Sequence, residues 1–478
     1  MADDDDLLFR PATELAGLIR RRQVSPVELV EAVLARIEAT RPTLNAFITV
    51  TADAARAEAR AAERAVRDGA DGLGPLHGIP FSVKDLTYTA GVRPTMGSPI
   101  FERFVPDEDA VPVARLKRAG AILVGKTTTP EFGHKPLTNG PLFGHTRNPW
   151  DPGRTPGGSS GGAAGAVAAG MGPLALGTDG GGSVRIPAAC CGIVGLKATL
   201  GRIPHVHAPD TFGNNSYIGP MTRTVADNRL MFDVIEGPDP RDAHAIGRFE
   251  DAPGLAPGDR LDGVRIGWLP RVGNPLVDPG TLALAEETVR LLEGMGATVE
   301  AVERDFAGLE ETFLVLLQSS LSARLARHLP EFGERIDRTL RITIERGTRR
   351  TGDEVQQAAQ IRTRLFRQAQ RDFERFDFLA SPTLSAPALP LGQDPFEPVV
   401  IDGREAGQIR GAWSPYTWPF NLTGHPAITI PCGWTAGGLP VGFQIVGPWH
   451  GERRILDLAA RIEAARPWAE RRPPVAGS

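Results

Sequence analysis

The sequence of 478 residues has few cysteines, no surplus of basic residues and no long apolar run. Three cysteines, two of them adjacent at Cys190 and Cys191, do not form a disulfide framework. The formal net charge of −4 argues against binding to nucleic-acid phosphates, so no nucleic-acid partner is expected. No apolar run reaches the ~18 residues of a membrane span. The N-terminus, Met-Ala-Asp-Asp-Asp-Asp, also lacks the positive charge of a signal peptide. We therefore expect a cytoplasmic protein that does not enter a membrane.

Metal-binding motifs are missing as well. The nine histidines are scattered without an H-E-x-x-H pair, and we expect neither a metal nor a cofactor. One stretch, Gly120-Ala-Ile-Leu-Val-Gly-Lys-Thr, matches the phosphate-loop pattern G-x-x-x-x-G-K-[ST]. That mechanism needs a strand before the first glycine and a helix after the lysine. Here the middle residues are themselves strand-like, and Thr127-Thr-Thr-Pro follows, so we predict that no phosphate binds there.

Helical and strand patterns alternate along the chain, which predicts one large α/β domain. Ser25-Pro-Val-Glu is a capping box that begins a helix. Short apolar runs between glycine and proline turns, such as Ile79-Pro-Phe-Ser-Val-Lys, predict a central sheet. We expect this sheet to be mixed, mostly parallel and covered by helices on both faces. A hydrophobic content of 41% suffices for a substantial core.

Four stretches of the chain are expected to build this fold. Residues 1–70 form an N-terminal helical segment, and residues 71–236 form the core that carries the chemistry. Residues 237–377 form a variable segment of helices and strands, and residues 378–478 complete the same core. Within the last stretch, the Pro-rich part from 382 to about 411 is predicted to be irregular.

The most informative stretch is rich in small residues. Residues 157–170 read GGSSGGAAGAVAAG, and Leu176-Gly-Thr-Asp-Gly-Gly-Gly-Ser follows. Glycines let the backbone approach another group closely, and successive N–H groups can face an anion. An oxyanion hole beside a serine nucleophile requires backbone N–H groups close to that serine, and the glycines that precede Ser183 can supply them. The alternative is a flexible linker, which the composition allows but the ordered apolar runs on both sides oppose.

Serine is a weak nucleophile unless a base takes its proton, and no histidine motif accompanies Ser183. The candidate base is Lys84, which ends the apolar run from Gly78. Loss of solvent lowers the pKa of a lysine and makes its neutral amine available. If this motif is considered alone, the alternative to a buried catalytic base is a surface lysine that forms a salt bridge with Asp85.

Lys84, Ser159 in Gly157-Gly-Ser-Ser-Gly-Gly and Ser183 in Thr178-Asp-Gly-Gly-Gly-Ser resemble the three parts of the amidase signature family. The first two lie 75 residues apart and the last two 24 residues apart, as in many members. The resemblance spans most of the chain and is weakest from about 237 to 377. It includes Lys126-Thr-Thr-Thr-Pro-Glu-Phe-Gly, Gly144-His-Thr-Arg-Asn-Pro-Trp, Cys191-Gly-Ile-Val-Gly-Leu-Lys, Phe420-Asn-Leu-Thr-Gly-His-Pro-Ala and Leu439-Pro-Val-Gly-Phe-Gln.

The resemblance implies a Ser-cisSer-Lys triad. Neutral Lys84 takes the proton of Ser159, which takes that of Ser183, and Ser183 attacks the carbonyl to give an acyl-enzyme. The peptide bond between Gly158 and Ser159 is expected to be cis. The expected oxyanion hole consists of the backbone N–H groups of Gly180, Gly181, Gly182 and Ser183.

Three further residues are expected to support this arrangement. By the same resemblance, Asp179 and Arg185 form a buried pair that holds the turn before Ser183, and we prefer this structural role to a catalytic one. Ser160, beside the bridging serine, is expected to support the hydrogen-bond network. Gly180 departs from the family, which often has a larger residue at this position. The difference affects the expected rigidity of the loop but not the number of its backbone N–H donors.

The function implied is a cofactor-free hydrolase that cleaves carboxamides to a carboxylate and an amine or ammonia. The same triad could act mainly on carbamates or esters, or on aryl acylamides. A second class is the amidase subunit of a tRNA-dependent amidotransferase, but those subunits typically carry Gln where Ile186 stands here. A third class is a binding protein on an inactive amidase fold, against which the intact Lys84, Ser159 and Ser183 argue.

The substrate pocket is expected in the segments 134–145, 205–217 and 385–420. Aromatic residues there favour an apolar or aromatic substrate group, and the alternative that they belong to the core stays open. The expected partner is a small-molecule amide, ester or carbamate, and a homodimer is only a family-level expectation. The pocket candidates are Phe143, Tyr217, Trp413 and Tyr416.

Overall fold

A sheet of eleven strands runs through this computed structural model, which describes residues 7–248 and 250–477. The acidic residues 1–6, on which the expectation about a signal peptide depends, lie outside the described residues. The strands in chain order are β1 (Phe47–Val50), β2 (Pro80–Lys84), β3 (Ile122–Thr127), β4 (Asn139–Gly140), β5 (Gly144–His145), β6 (Leu174–Asp179), β7 (Val194–Lys197), β8 (Tyr217–Thr222), β9 (Arg265–Trp268), β10 (Thr298–Ala301), β11 (Phe378–Pro382), β12 (Val399–Ile401), β13 (Arg404–Gly407), β14 (Ala427–Trp434) and β15 (Pro440–Val446). The order in the large sheet is β1-β3-β2-β6-β8-β7-β14-β15-β11-β9-β10.

Parallel pairs form two blocks of this sheet. One block is β3-β2-β6 and the other is β11-β9-β10. β1 pairs antiparallel with β3, and the strands from β6 through β8, β7, β14 and β15 to β11 also pair antiparallel. The predicted mixed sheet is confirmed, but its antiparallel pairs are more numerous than the sequence indicated. One reason is that a tight turn joins β14 to β15 as a hairpin, and such a turn permits only antiparallel pairing.

Helices are distributed along the whole chain. The capping box at Ser25 is present, with its side chain accepting from Val27 N–H and Glu28 N–H. No helix of the described part of the chain is both long and apolar enough to cross a membrane. The helices are α1 (Ala12–Arg20), α2 (Pro26–Leu44), α3 (Ala52–Arg67), α4 (Val111–Arg118), α5 (Gly161–Ala168), α6 (Arg185–Cys191), α7 (Val225–Ile235), α8 (Pro279–Gly294), α9 (Glu310–Leu325), α10 (Leu329–Phe332), α11 (Arg338–Gly347), α12 (Gly352–Arg375), α13 (Ile409–Ala412), α14 (Pro419–Thr423) and α15 (Glu452–Ala465).

Alternation along β2 places Lys84 on one face of the sheet. Phe81 and Val83 belong to the largest core cluster, together with residues of α1, α4, α7, α8 and α15. Ser82 and Lys84 therefore face the opposite side, because successive side chains of a strand alternate. On that side α5 and α6 pack against β6 and β8 in a second cluster. Helices cover both faces, as predicted, and the candidate site lies on the α5 and α6 side.

Two local predictions can be compared with the structure. The phosphate-loop look-alike coincides with β3, and buried Lys126 donates to Thr87 O and Thr89 Oγ1, so the strand-like interpretation of this motif is confirmed. The segment from 382 to about 411, predicted to be irregular, contains the hairpin β12–β13. Its turn residues Asp402 and Gly403 both have positive φ, 52° and 70°, as a two-residue Asp-Gly turn requires.

Candidate active site

Lys84 ends β2 with its side chain fully buried. Its Nζ lies 2.6 Å from Ser159 Oγ and 2.9 Å from Thr178 Oγ1. Burial lowers the pKa of Lys84 well below its usual value, and the charge of Asp179 opposes this effect only in part. The neutral amine is therefore favoured, and this is the form that can accept the proton of Ser159.

Asp85, the alternative partner of Lys84, is engaged elsewhere. Its carboxylate accepts hydrogen bonds from Thr95 Oγ1 and from Gly97 N–H. Burial raises the pKa of Asp85 to about 6, and the charge of Lys126 opposes this rise. The surface salt bridge considered for Lys84 is replaced by a buried contact with Ser159.

The glycine-rich tract is interior backbone rather than a linker. Every residue from 155 to 179 is buried. A Cβ on Gly158 would lie 2.5 Å from the backbone nitrogen of Leu137, a distance at which backbone would have to move. The peptide bond between Gly158 and Ser159 is cis, as the resemblance implied. Glycine is needed here because two main-chain segments touch.

Ser160 joins the turn at Ser159 to the rest of the site. Its N–H donates to the carbonyl oxygen of Ser183 at 3.2 Å. Its Oγ donates to Thr178 O at 3.1 Å and accepts from Thr178 N–H at 3.3 Å. These bonds connect the three segments that carry Ser159, Thr178 and Ser183, which agrees with the supporting role expected for Ser160.

Asp179, the last residue of β6, organises the loop that carries Ser183. Its carboxylate accepts the N–H groups of Gly182 at 2.6 Å and Val184 at 3.1 Å. Arg185 donates to both carboxylate oxygens at 3.0 Å, and both side chains are fully buried. Burial by itself would raise the pKa of Asp179, but the charge and hydrogen bonds of Arg185 hold it below its usual range. The pair holds the turn before Ser183 in the expected way.

The structure corrects one of the four predicted oxyanion donors. The N–H of Gly182 is directed at the Asp179 carboxylate, so it shapes the turn and is not presented to a substrate. Within the described residues, the N–H groups of Gly180, Gly181 and Ser183 have no protein acceptor. These three N–H groups remain the candidate oxyanion donors.

Exposure to solvent increases along the predicted proton relay. The exposed fraction is 0% for Lys84, 2% for Ser159 and 8% for Ser183. The predicted base thus lies deepest, where its charged form is least favoured, and the predicted nucleophile lies nearest to solvent. This order is what a buried base and an accessible nucleophile need.

The four aromatic residues expected in the pocket do not line the cavity beside the site. Tyr217, Trp413 and Tyr416 are buried, and each donates its polar hydrogen to a backbone carbonyl. They are core residues, since a buried hydroxyl or indole N–H needs such a partner. Phe143 lies half-buried in the loop between β4 and β5. For Tyr217, Trp413 and Tyr416 the structure supports the alternative interpretation, in which these aromatics belong to the core.

A cavity of about 240 Å³ is linked to the candidate triad through the turn at Gly133, although Lys84, Ser159 and Ser183 are not among its lining residues. A Cβ on Gly133 would lie 3.0 Å from Ser159 Oγ, and the next residue, His134, is part of the cavity wall. The sequence indicated the segments around 134 and 410 but not the one from 310 to 346. The lining residues are His134, Lys135, Pro136, Glu310, Leu314, Leu317, Gln318, Thr339, Thr343, Arg346, Pro395, Phe396, Gln408, Ile409 and Arg410.

The described part of the chain offers no group of metal ligands, and its thiols are buried. Among residues 7–248 and 250–477, no cluster of three or more His, Cys, Asp or Glu side chains is placed to hold a metal ion. The cysteines at 190, 191 and 432 are free and buried. Burial raises the pKa of each thiol, which disfavours the reactive thiolate.

Comparison with known proteins agrees with this geometry. The family model described as Amidase matches residues 28–456. An acylamidase of Rhodococcus erythropolis is 38% identical over 98% of both chains. A glutamyl-tRNA(Gln) amidotransferase subunit from Symbiobacterium thermophilum is 37% identical over 97% of this chain and 98% of its own. The solved structure of a bacterial aryl acylamidase of the amidase signature family has a TM-score of 0.88 and 29% identity, and the match covers 97% of both chains.

This chain therefore belongs to the amidase signature family, and it is an amidase, a hydrolase of carbon–nitrogen bonds.

Proposed function

We propose that this amidase hydrolyses carboxamides through an acyl-enzyme on Ser183. Neutral Lys84 accepts the proton of Ser159, Ser159 accepts that of Ser183, and Ser183 Oγ forms a bond to the carbonyl carbon. The relay returns the proton to the amine nitrogen as the carbon–nitrogen bond breaks. Water then attacks the acyl-enzyme by the same route, releasing the carboxylate and restoring Ser183.

The contact between Lys84 and Ser159 carries this proposal. A distance of 2.6 Å permits direct proton transfer, and burial favours the neutral amine that can accept the proton. A charged lysine in the same place would be a donor only. The base therefore works because it is desolvated.

Negative charge on the substrate oxygen would be stabilised by main-chain donors. The available N–H groups are those of Gly180, Gly181 and Ser183. Removal of one such donor typically costs about 3 kcal/mol in the barrier. Because Asp179 accepts the N–H of Gly182 and pairs with Arg185, the loop is held in shape before substrate binds.

Acyl amides, including aryl acylamides, are the proposed substrates. The Rhodococcus relative is named an acylamidase and the solved structure an aryl acylamidase. Carbamates and esters share the acyl-enzyme step, so we propose them as side reactions of the same triad. Amidotransferase subunits are also relatives, but the chain has Ile186 where they typically carry Gln, so we propose that it acts without a partner protein.

Matched substrates with coloured leaving groups test the proposal. Butyryl 4-nitroanilide, a 4-nitrophenyl carbamate and 4-nitrophenyl butyrate would be assayed with the wild type and Ser183→Ala. We expect turnover that disappears in Ser183→Ala, and an intact-mass increase of one acyl group when the ester is used. Ser320→Ala, at an exposed serine of α9 that does not line the cavity, is the matched control and should keep its activity.

The outcomes separate the alternatives. Turnover that survives in Ser183→Ala would contradict the assignment of the nucleophile. Faster hydrolysis of the carbamate or the ester, relative to their spontaneous rates, would make those the main substrates. Lack of turnover with every probe, followed by glutaminase activity only on adding amidotransferase partner subunits, would favour the amidotransferase alternative.

A further inference from the structure

Arg410 lies between the cavity and the loop that carries Ser183. Its Nη2 donates to His134 O at 2.7 Å, and its guanidinium lies 5.0 Å from the ring centroid of Phe313. Its Nη1 lies 3.6 Å from the position that a Cβ on Gly181 would occupy. Arg410 is also one of the residues that line the cavity. One side chain therefore touches both the candidate oxyanion loop and the space beside it.

The guanidinium of Arg410 uses little of its hydrogen-bonding capacity. It has five N–H donors, and among the residues that the structure describes the one acceptor for them is His134 O. No carboxylate oxygen of the described residues lies within 4.0 Å of it. Burial lowers the pKa of Arg410 to about 10, opposed by the charge of Glu310, so the group is still cationic at neutral pH.

The other charged groups of the cavity leave it with positive character. Lys135 is paired with Asp337, so its charge is already neutralised. Burial raises the pKa of Glu310, and the positive charge of Arg410 opposes that rise. Arg346 is exposed at the rim, with its guanidinium 4.7 Å from the ring centroid of Phe396. Two arginines thus face one glutamate among the lining residues.

We propose that Arg410 binds a carboxylate carried by the amide substrate and so selects anionic amides. The planar guanidinium can donate two parallel hydrogen bonds to a carboxylate. The apolar residues Leu314, Leu317 and Ile409 would contact the short carbon chain between that carboxylate and the amide. The inference rests on the proposed function, since it assigns the cavity to the same substrate that Ser183 attacks.

Two pairs of isosteric substrates test the preference. Glutaryl 4-nitroanilide is compared with 5-oxohexanoyl 4-nitroanilide, in which a methyl ketone replaces the carboxylate on the acyl side. 4-(Butyrylamino)benzoate is compared with 4-(butyrylamino)acetophenone, which makes the same change on the amine side. Since hydrogen bonds to charged groups contribute about 1.5–3 kcal/mol, we expect the carboxylate to raise kcat/KM about tenfold or more in one pair, mainly through KM.

Substitutions of Arg410 complete the experiment. Arg410→Gln should abolish the preference, so that the ratio of kcat/KM for the carboxylate partner to kcat/KM for the neutral partner falls to about one. Arg410→Lys keeps the positive charge but lacks the planar guanidinium that donates two parallel hydrogen bonds. This variant should therefore retain part of the preference for the carboxylate substrate. Arg349→Gln, the same change at an exposed arginine outside the cavity, should keep the full preference. Equal kcat/KM within both pairs, or a preference that survives in Arg410→Gln, would overturn the proposal.

Binding to an inactive variant separates this inference from the proposed function. The same pairs would be titrated into Ser183→Ala by calorimetry, where no turnover is needed. Tighter binding of the carboxylate partner, lost in Ser183→Ala with Arg410→Gln, supports the role of Arg410 even if the wild type hydrolyses none of the probes. Equal binding within both pairs overturns it. Thermal unfolding of each variant shows that the fold is kept.

Discussion

The candidate triad and the cavity beside it are built from different kinds of structure. The triad is held by buried main chain, in which glycines at 158 and 162 have no room for a Cβ. The cavity is lined by long side chains from α9, α11 and the segment 395–410, several of them partly exposed. Main chain sets the positions of reacting atoms with little freedom, whereas side chains can be exchanged without moving the backbone. With the functions proposed above, the chemistry and the choice of substrate would be carried by separate parts of the molecule.

The two regions meet at the turn from 131 to 135. Gly133 approaches Ser159 Oγ, while His134 Nε2 lies 2.7 Å from Thr339 Oγ1 on α11. Lys135 in the same turn pairs with Asp337 at the start of α11. Substitutions on either side of this turn should therefore separate effects on rate and stability from effects on substrate choice.

The largest effect is expected for Lys84→Met on the triad side. This change keeps the volume but removes the base, and we expect kcat/KM for butyryl 4-nitroanilide to fall by roughly 10⁴-fold or more. Lys117→Met, at a partly exposed lysine paired with Asp109, should keep its activity and serves as the control. Retention of most activity in folded Lys84→Met would show that the relay is wrong.

Asp179→Asn tests whether the buried pair supports the main-chain arrangement. The substitution leaves Arg185 as an unpaired buried charge, and we expect a loss of about 3–5 kcal/mol in the free energy of unfolding. Denaturant unfolding measures it. Asp262→Asn, which breaks an exposed ion pair with Arg260, should cause no measurable change. A small effect of Asp179→Asn would mean that hydrogen bonds without charge suffice to hold the loop.

Substitution of two glycines near the candidate triad tests whether the space around each glycine determines the effect on stability. Gly158→Ala places its Cβ against the backbone of Leu137, and we expect a loss of about 1–3 kcal/mol or more in the free energy of unfolding. Gly180→Ala has no heavy atom within 4 Å of its new Cβ and should leave stability almost unchanged. Thermal and denaturant unfolding of both variants check this, and equal stabilities would contradict the packing argument.

The lowered pKa of Lys84 predicts the pH dependence of both activity and stability. Because the reaction needs the neutral amine, kcat/KM should rise with pH through the lowered pKa and level off below the usual lysine pKa of about 10.4. The unfolded chain keeps the ordinary pKa and so binds more protons between the two values. The contribution of Lys84 to stability therefore becomes more favourable as pH rises through that window.

Unfolding of the wild type and of Lys84→Met, measured at pH 8 and at pH 10, isolates this contribution. The wild type should gain stability relative to Lys84→Met as pH rises. Parallel behaviour of the two proteins, together with a kcat/KM profile that still rises above pH 10.4, would show that the lysine is not desolvated.

The smallest effect is expected for Phe143→Ser. The side chain lies in the loop between β4 and β5 and is not among the residues that line the cavity. We expect KM and kcat to be unchanged for aryl and alkyl acylamides. A rise in KM confined to aryl substrates would return Phe143 to the substrate site and weaken the assignment of specificity to the cavity.

The candidate triad remains a prediction, but the sequence predicted its buried surroundings because the signals for them are local. Small residues around Ser159 and Ser183 are needed wherever main chain meets main chain, and the apolar run before Lys84 marks a buried strand end. The hairpin β12–β13 was missed although Asp402-Gly403 is a typical hairpin turn, because the surrounding prolines favoured an irregular segment. That signal was available in the sequence.

The remaining errors concern contacts between distant parts of the chain. Gly182 was counted as an oxyanion donor because nothing in the local sequence shows that Asp179 takes its N–H. Trp413 and Tyr416 were named as pocket candidates because the sequence alone does not distinguish an aromatic residue of the core from one that lines a binding site. The hydrogen bonds that both side chains donate to backbone carbonyl groups show that they belong to the core.

The amino-acid sequence by itself predicted the α/β class and the buried glycine-rich main chain, and it singled out Lys84, Ser159 and Ser183 as the candidate triad, since each of these predictions follows from local pattern and residue chemistry. Tertiary structure alone decided which donors are free, where the cavity lies and which charges are unpaired. Asn421 reaches Asp179 across 242 residues, and Arg410 reaches His134 across 276. Hydrogen bonding and desolvation depend on such neighbours in space, and sequence order does not specify them.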